Sequence, residues 1–192
     1  MRFLLRVWFL SLLVISVSLA QQFYKSKGLS LFNQGNYNAA IDSLLHWADI
    51  HTGESGIAYY YVGECYYNSG LEAATSSQAI DFFKKGITYF DKAVRQADLL
   101  SLYPEKKTEA VYKKAWSYYR LAEMEKDPLP SLMLSNRTFT ELSVSLSDTI
   151  GVYALHMAGE TRLRIANWKR IQMLLSANVG AVSYTHLTLP TN

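Results

Sequence analysis

The sequence predicts an all-α protein of stacked antiparallel helix pairs, on three observations. Apolar residues recur at three- and four-residue spacing, as in amphipathic helices, with no sustained two-residue alternation that would argue for strands. Proline is absent from residues 21–103, so nothing in that stretch interrupts a helix. Small residues recur in register: Gly28, Gly63, Ala115 and Gly159 are each followed seven residues later by Gly35, Gly70, Ala122 and Ala166.

The elements follow in order. Residues 1–20 read as a signal peptide. Arg2 and Arg6 precede an uncharged run from Val7 to Ala20, and Ser18-Leu19-Ala20 places small residues before a cleavage point at Gln21. The run is shorter than the roughly 20 residues of a spanning helix. Residues 21–180 form the helical repeat domain. Its expected helices are Gln22–Gln34, Tyr37–Ile50, Ile57–Ser69, Ser77–Ser101, Glu105–Glu125, Ser131–Leu146, Thr149–Ile165 and Trp168–Asn178, joined by short polar connectors. Pro128 and Pro130 are expected to stop one helix and Ser131 to cap the next. Residues 181–192 read as foreign. Val182 to Thr191 is the translation of GTC TCT TAT ACA CAT CTG ACG CTG CCG ACG, a library-preparation transposase adapter. The natural protein is therefore expected to continue beyond about Gly180, and His186 carries no functional weight.

A small residue in mid-helix lets a second helix cross closely, and glycine at the helix end reaches left-handed backbone angles without steric cost. A large aromatic after the turn, Tyr37 or Trp168, fills the wedge between the helices. The second and third units share a phrase: Ala58, Tyr60, Gly63, Tyr66-Tyr67 and Gly70 stand over Ala110, Tyr112, Ala115, Tyr118-Tyr119 and Ala122.

Asn33-Gln34-Gly35-Asn36-Tyr37-Asn38-Ala39-Ala40-Ile41 resembles the turn and second-helix start of the tetratricopeptide repeat (TPR). The Tyr59–Gly70 phrase is similar to repeats of bacterial envelope proteins, the BamD-like outer-membrane assembly lipoproteins and the Tol-Pal coordinators. The unit spacings of 35, 52 and 44 residues exceed the regular repeat of about 34. The residue directly after the cleavage point is Gln21 and not Cys, so no lipid anchor is expected there. The resemblance implies a right-handed TPR-like superhelix whose first helices line a concave face. Carried over by position, that face takes Lys25, Leu29, Phe32 and Asn33 from the first unit and Tyr60, Glu64, Tyr67 and Asn68 from the second. It takes Tyr112, Trp116, Tyr119 and Arg120 from the third, then His156, Glu160, Leu163 and Arg164 from the fourth. The expected partner-binding groove consists of Phe32, Tyr60, Glu64, Tyr67, Tyr112, Trp116, Tyr119, Arg120, Glu160 and Arg164. Tyr67, Trp116 and Tyr119 are expected to be partly open. Tyr59, Gly63 and Tyr66, with Val111, Ala115 and Tyr118, form the adjacent core stripes.

Charge and chemistry exclude other classes. The net charge of +3 includes Arg2 and Arg6, which leaves the mature segment near +1, with no basic footprint for nucleic acid. The lone Cys65 forms no internal disulfide and reads as a small core residue. His46 and His51 are five residues apart, off the spacing that puts two ligands on one helix face, and His156 stands alone, so no metal site is expected. No phosphate-binding Gly-rich loop is present and no cofactor is expected. Asn136-Arg137-Thr138 fits the glycosylation sequon. The expected function is an exported interaction scaffold, not an enzyme, in the periplasm or at the periplasmic face of the outer membrane. It holds another protein or peptide segment, and the resemblance implies a role in cell-envelope assembly. The alternative is an N-terminal repeat module of a longer sensor or envelope enzyme.

Overall fold

A computed structural model describes residues 19–50, 53–146 and 148–186. Most of the expected signal segment, His51 and the end of the adapter-like tail (187–192) lie outside the described residues. The described residues form helices and no strand. The helices are α1 (19–33), α2 (Tyr37–Ile50), α3 (Ser55–Leu71), α4 (Ser76–Val94), α5 (Ala97–Leu102), α6 (Pro104–Met124), α7 (Leu129–Ser145) and α8 (Thr149–His186). None is long and apolar enough to cross a membrane.

Packing runs between chain neighbours: α2 on α3, α3 on α4, α4 on α6, α6 on α7 and α7 on α8. The small residues are the points of closest approach. A Cβ on Gly28 would stand 2.8 Å from Leu44 of α2, and one on Gly63 would stand 2.7 Å from the Phe90 ring of α4. In the next pair Ala115 and Phe139 share one buried cluster, and Ser135 Oγ donates to the Ala115 carbonyl at 3.0 Å. The turn between α1 and α2 needs glycine: Gly35 has φ +75°, a conformation that costs other residues roughly 1–2 kcal/mol.

Three differences from the expected elements have physical causes. Ser77–Ser101 is not one helix; α4 ends at Val94 and α5 restarts at Ala97. The break brings Asp98 beside the start of α3, whose own N-cap residue makes no side-chain capping bond. Asp98 accepts from the Gly56 N–H at 3.0 Å and the Ile57 N–H at 3.3 Å. Pro130 does not precede α7 but lies in its first turn, where proline's missing N–H has no helical partner to lose. Ser131 is buried inside that turn and donates to Glu125 Oε2 at 2.5 Å. The two helices expected over Thr149–Ile165 and Trp168–Asn178 are the single helix α8. Ala166, a strong helix former, stands in the register where Gly35 turns the chain.

Candidate functional site

The expected groove residues lie on α1, α3, α6 and α8, and the fold links them into one band. On α1, the Phe32 ring packs edge-on against Tyr61 of α3 at 5.3 Å. Tyr60, next along α3, donates its hydroxyl to Glu109 Oε2 of α6 at 2.6 Å. One turn on, Glu64 pairs with Lys113 Nζ, which also stands 5.5 Å from the Tyr67 ring. Along α6, Tyr112, Trp116 and Tyr119 make successive edge contacts, with Trp116–Tyr119 at 5.4 Å. Arg120 lies 5.8 Å over Trp116 and pairs with Glu123 at 3.0 Å. Arg164 of α8 closes the band: its guanidinium sits 4.4 Å over Tyr119 and bridges Glu123 and Glu160, each at 3.3 Å.

Exposure divides these residues. Tyr60 (3 %), Glu64 (4 %) and Tyr119 (6 %) are buried, which corrects the expectation that Tyr119 is partly open. The cause is the neighbouring first helix: α6 covers Tyr60 and Glu64, and Arg164 covers Tyr119. Phe32, Tyr67, Tyr112, Trp116, Arg120, Glu160 and Arg164 are half-buried and retain open surface. The core stripes also differ from expectation. Gly63 and Ala115 are buried, whereas Tyr59, Tyr66, Val111 and Tyr118 are half-buried. Tyr66 stacks on Tyr89 of α4 at 5.5 Å on the opposite side of α3.

Among the described residues, two polar atoms in the band are buried without a hydrogen-bond partner: Glu64 Oε1 and Arg120 Nε. Buried polar atoms are almost always satisfied, so these are acceptor and donor capacity that no described residue takes up. Beside Arg120 the band opens into a cavity of about 400 Å³ between the α3–α4 connection and the end of α6, lined by Gly70, Thr75, Phe83, Glu123 and Met124 among others.

The electrostatics hold the paired Tyr60 and Glu109 in opposite protonation states. Burial raises the Tyr60 hydroxyl, and the Glu64 charge and the Glu109 bond raise it further, so it stays protonated as a donor. Burial pushes Glu109 up, but the Tyr60 hydroxyl and Lys106 outweigh it and hold the carboxyl below its ordinary range. Sequence reading missed Lys106, Glu109 and Lys113, which lie on α6 beside the aromatic stripe. Their i, i+3 and i, i+4 spacing along that helix is the signal that could have found them.

Cys65 is fully buried; burial, then the Glu64 charge, pushes its thiol up to about 12. Thiolate is the reactive form, so the native protein is expected to resist a thiol-specific maleimide at pH 7.5 for as long as it stays folded. Labelling followed by mass spectrometry, with and without denaturant, checks this; rapid native labelling would contradict the burial. The sequon Asn136 is tied into packing, its side-chain amide donating to Ala158 O at 2.7 Å and Thr161 Oγ1 at 3.0 Å. Among the described residues no group of His, Cys, Asp and Glu is placed to hold a metal ion.

No family model, characterised protein or solved structure matches this chain.

Proposed function

We propose that this chain is an exported scaffold of the tetratricopeptide type that holds a segment of another protein in a concave helical groove. Its place is the periplasm or the periplasmic face of the outer membrane, and it binds its partner without transforming it. The observation that carries this reading is the continuous band across α3, α6 and α8, in which half-buried aromatics alternate with charged groups and two buried polar atoms lack partners among the described residues. Tyr and Trp bring large rigid area with a polar tip, the character of binding hot spots. The buried members Tyr60, Glu64 and Tyr119 brace the band, and the half-buried Tyr67, Trp116, Arg120 and Arg164 meet the partner. The small-residue contacts at Gly28, Gly63 and Ala115 support the repeat assignment.

Capture of the partner from cell-envelope extract tests the reading. Trp116→Ala is expected to weaken capture about 30-fold, as for a hot-spot residue worth ~2 kcal/mol, while retaining its helical circular dichroism. Val144→Ala, on a side chain 84 % exposed and outside the band, is expected to leave capture unchanged. Equal capture by folded wild type and folded Trp116→Ala would defeat the groove assignment.

A further inference from the structure

The fourth unit has an unfilled seat. In the first two units the small residue of the first helix is covered by a large side chain of the second, Gly28 by Leu44 and Gly63 by Phe90, and in the third Ala115 is buried in one cluster with Phe139. Among the described residues, a Cβ at Gly159 would meet nothing within 4 Å. Around it α8 exposes Leu155 (63 %) and Leu163 (58 %) on the face turned away from the buried Ala154, Ala158 and Thr161. Farther along the same helix Ile171, Leu174 and Leu175 are exposed as well.

The two exposed regions match through the register of the first unit. There, Gly28 is followed after seven residues by the turn glycine Gly35, after nine by Tyr37, and after sixteen by Leu44, which covers Gly28. From Gly159 the same steps reach Ala166, Trp168 and Leu175. The segment that begins at Trp168 therefore carries, at the right distance, the side chain that the Gly159 seat lacks.

We propose that residues 168–176 are a strap that folds back on the first half of α8 through a turn at Ala166-Asn167, seating Leu175 on Gly159. The straight helix and the closed hairpin are two states of α8. Alanine at position 166 favours the straight one, because it is a strong helix former and is disfavoured in the left-handed turn conformation that Gly35 adopts. Closure covers Leu155, Leu163, Leu174 and Leu175 together, and burial of that apolar surface drives it. The occupant is the chain's own segment, since the first-unit register identifies it residue by residue.

A disulfide trap on the full chain tests the strap. In the straight helix, sixteen residues separate positions 159 and 175 by about 24 Å, far beyond the reach of a disulfide. Cys65 is fully buried and does not compete. The double variant Gly159→Cys/Leu175→Cys, under mild oxidation, is expected to form an intramolecular bond, read as loss of both thiols in a monomer on a non-reducing gel. Adding Ala166→Gly is expected to speed the bond about fivefold, the equivalent of the ~1 kcal/mol by which glycine weakens a helix relative to alanine. Failure of the bond to form, a covalent dimer in its place, or no acceleration by Ala166→Gly would each overturn the proposal. Loss of partner capture in Trp116→Ala is read separately, so either reading can fail alone.

Discussion

Phe90→Ala is expected to destabilise the protein by about 4 kcal/mol, within the range for emptying a fully buried aromatic site, and to lower Tm by roughly 10 °C. Phe90 has no exposed surface and lies in the cluster shared by α2, α3 and α4. Its ring fills the space left open by Gly63 and lies 6.3 Å from the Tyr60 ring. Truncation leaves a cavity that the crossing helices cannot close, because Gly63 offers no side chain to collapse into it. The opposite substitution is informative. Gly63→Ala places a methyl 2.7 Å from Phe90, and overpacking of this kind costs about 1–3 kcal/mol. Urea denaturation of both variants measures the effects; a loss below about 1 kcal/mol for Phe90→Ala would show that this crossing is not close-packed.

Lys113→Met is expected to cost about 3 kcal/mol, comparable to other broken buried ion pairs. The Glu64 side chain is only 6 % exposed, and Lys113 is its cationic partner. Removing the ammonium strands a desolvated carboxylate whose Oε1 already lacks a hydrogen-bond partner. The double variant Glu64→Gln/Lys113→Met removes the stranded charge and is expected to recover most of the loss. Equilibrium denaturation of the two single variants and the double gives the coupling between these residues directly. Additive losses would show that Glu64 is solvated by something other than Lys113.

Much of the fold was legible in local pattern, and what escaped it depends on contacts distant in sequence. Tyr37–Ile50 has the same ends in sequence and structure, because Gly35 and Asn36 mark its start and its apolar positions face one side. The break at residues 95–96 was not legible, since it goes with a contact of Asp98 to backbone amides of Gly56 and Ile57 far back in the chain. Pro130 was misplaced because proline suits the first turn of a helix as well as the gap before it. Helical spacing brought Tyr60, Glu64 and Tyr67 to one side of α3. It carried no information on whether α6 would lie over that side, so the burial of Tyr60 and Glu64 emerged only with the packing. Within the candidate site, the aromatic stripe was readable and the lysine partners of Glu109 and Glu64 were not.

The bond from Asp98 to the start of α3 bears on how the chain acquires its structure during synthesis. The acceptor lies 42 residues after Gly56. At about 5–20 residues per second, the first amides of α3 emerge roughly 2 to 8 s before the carboxylate that will hold them. Through that interval the first amides of α3 lack this acceptor, although all of α1 and α2 has been made. The start of α3 therefore waits for a linker residue made after α4, and is held before α6 has been made.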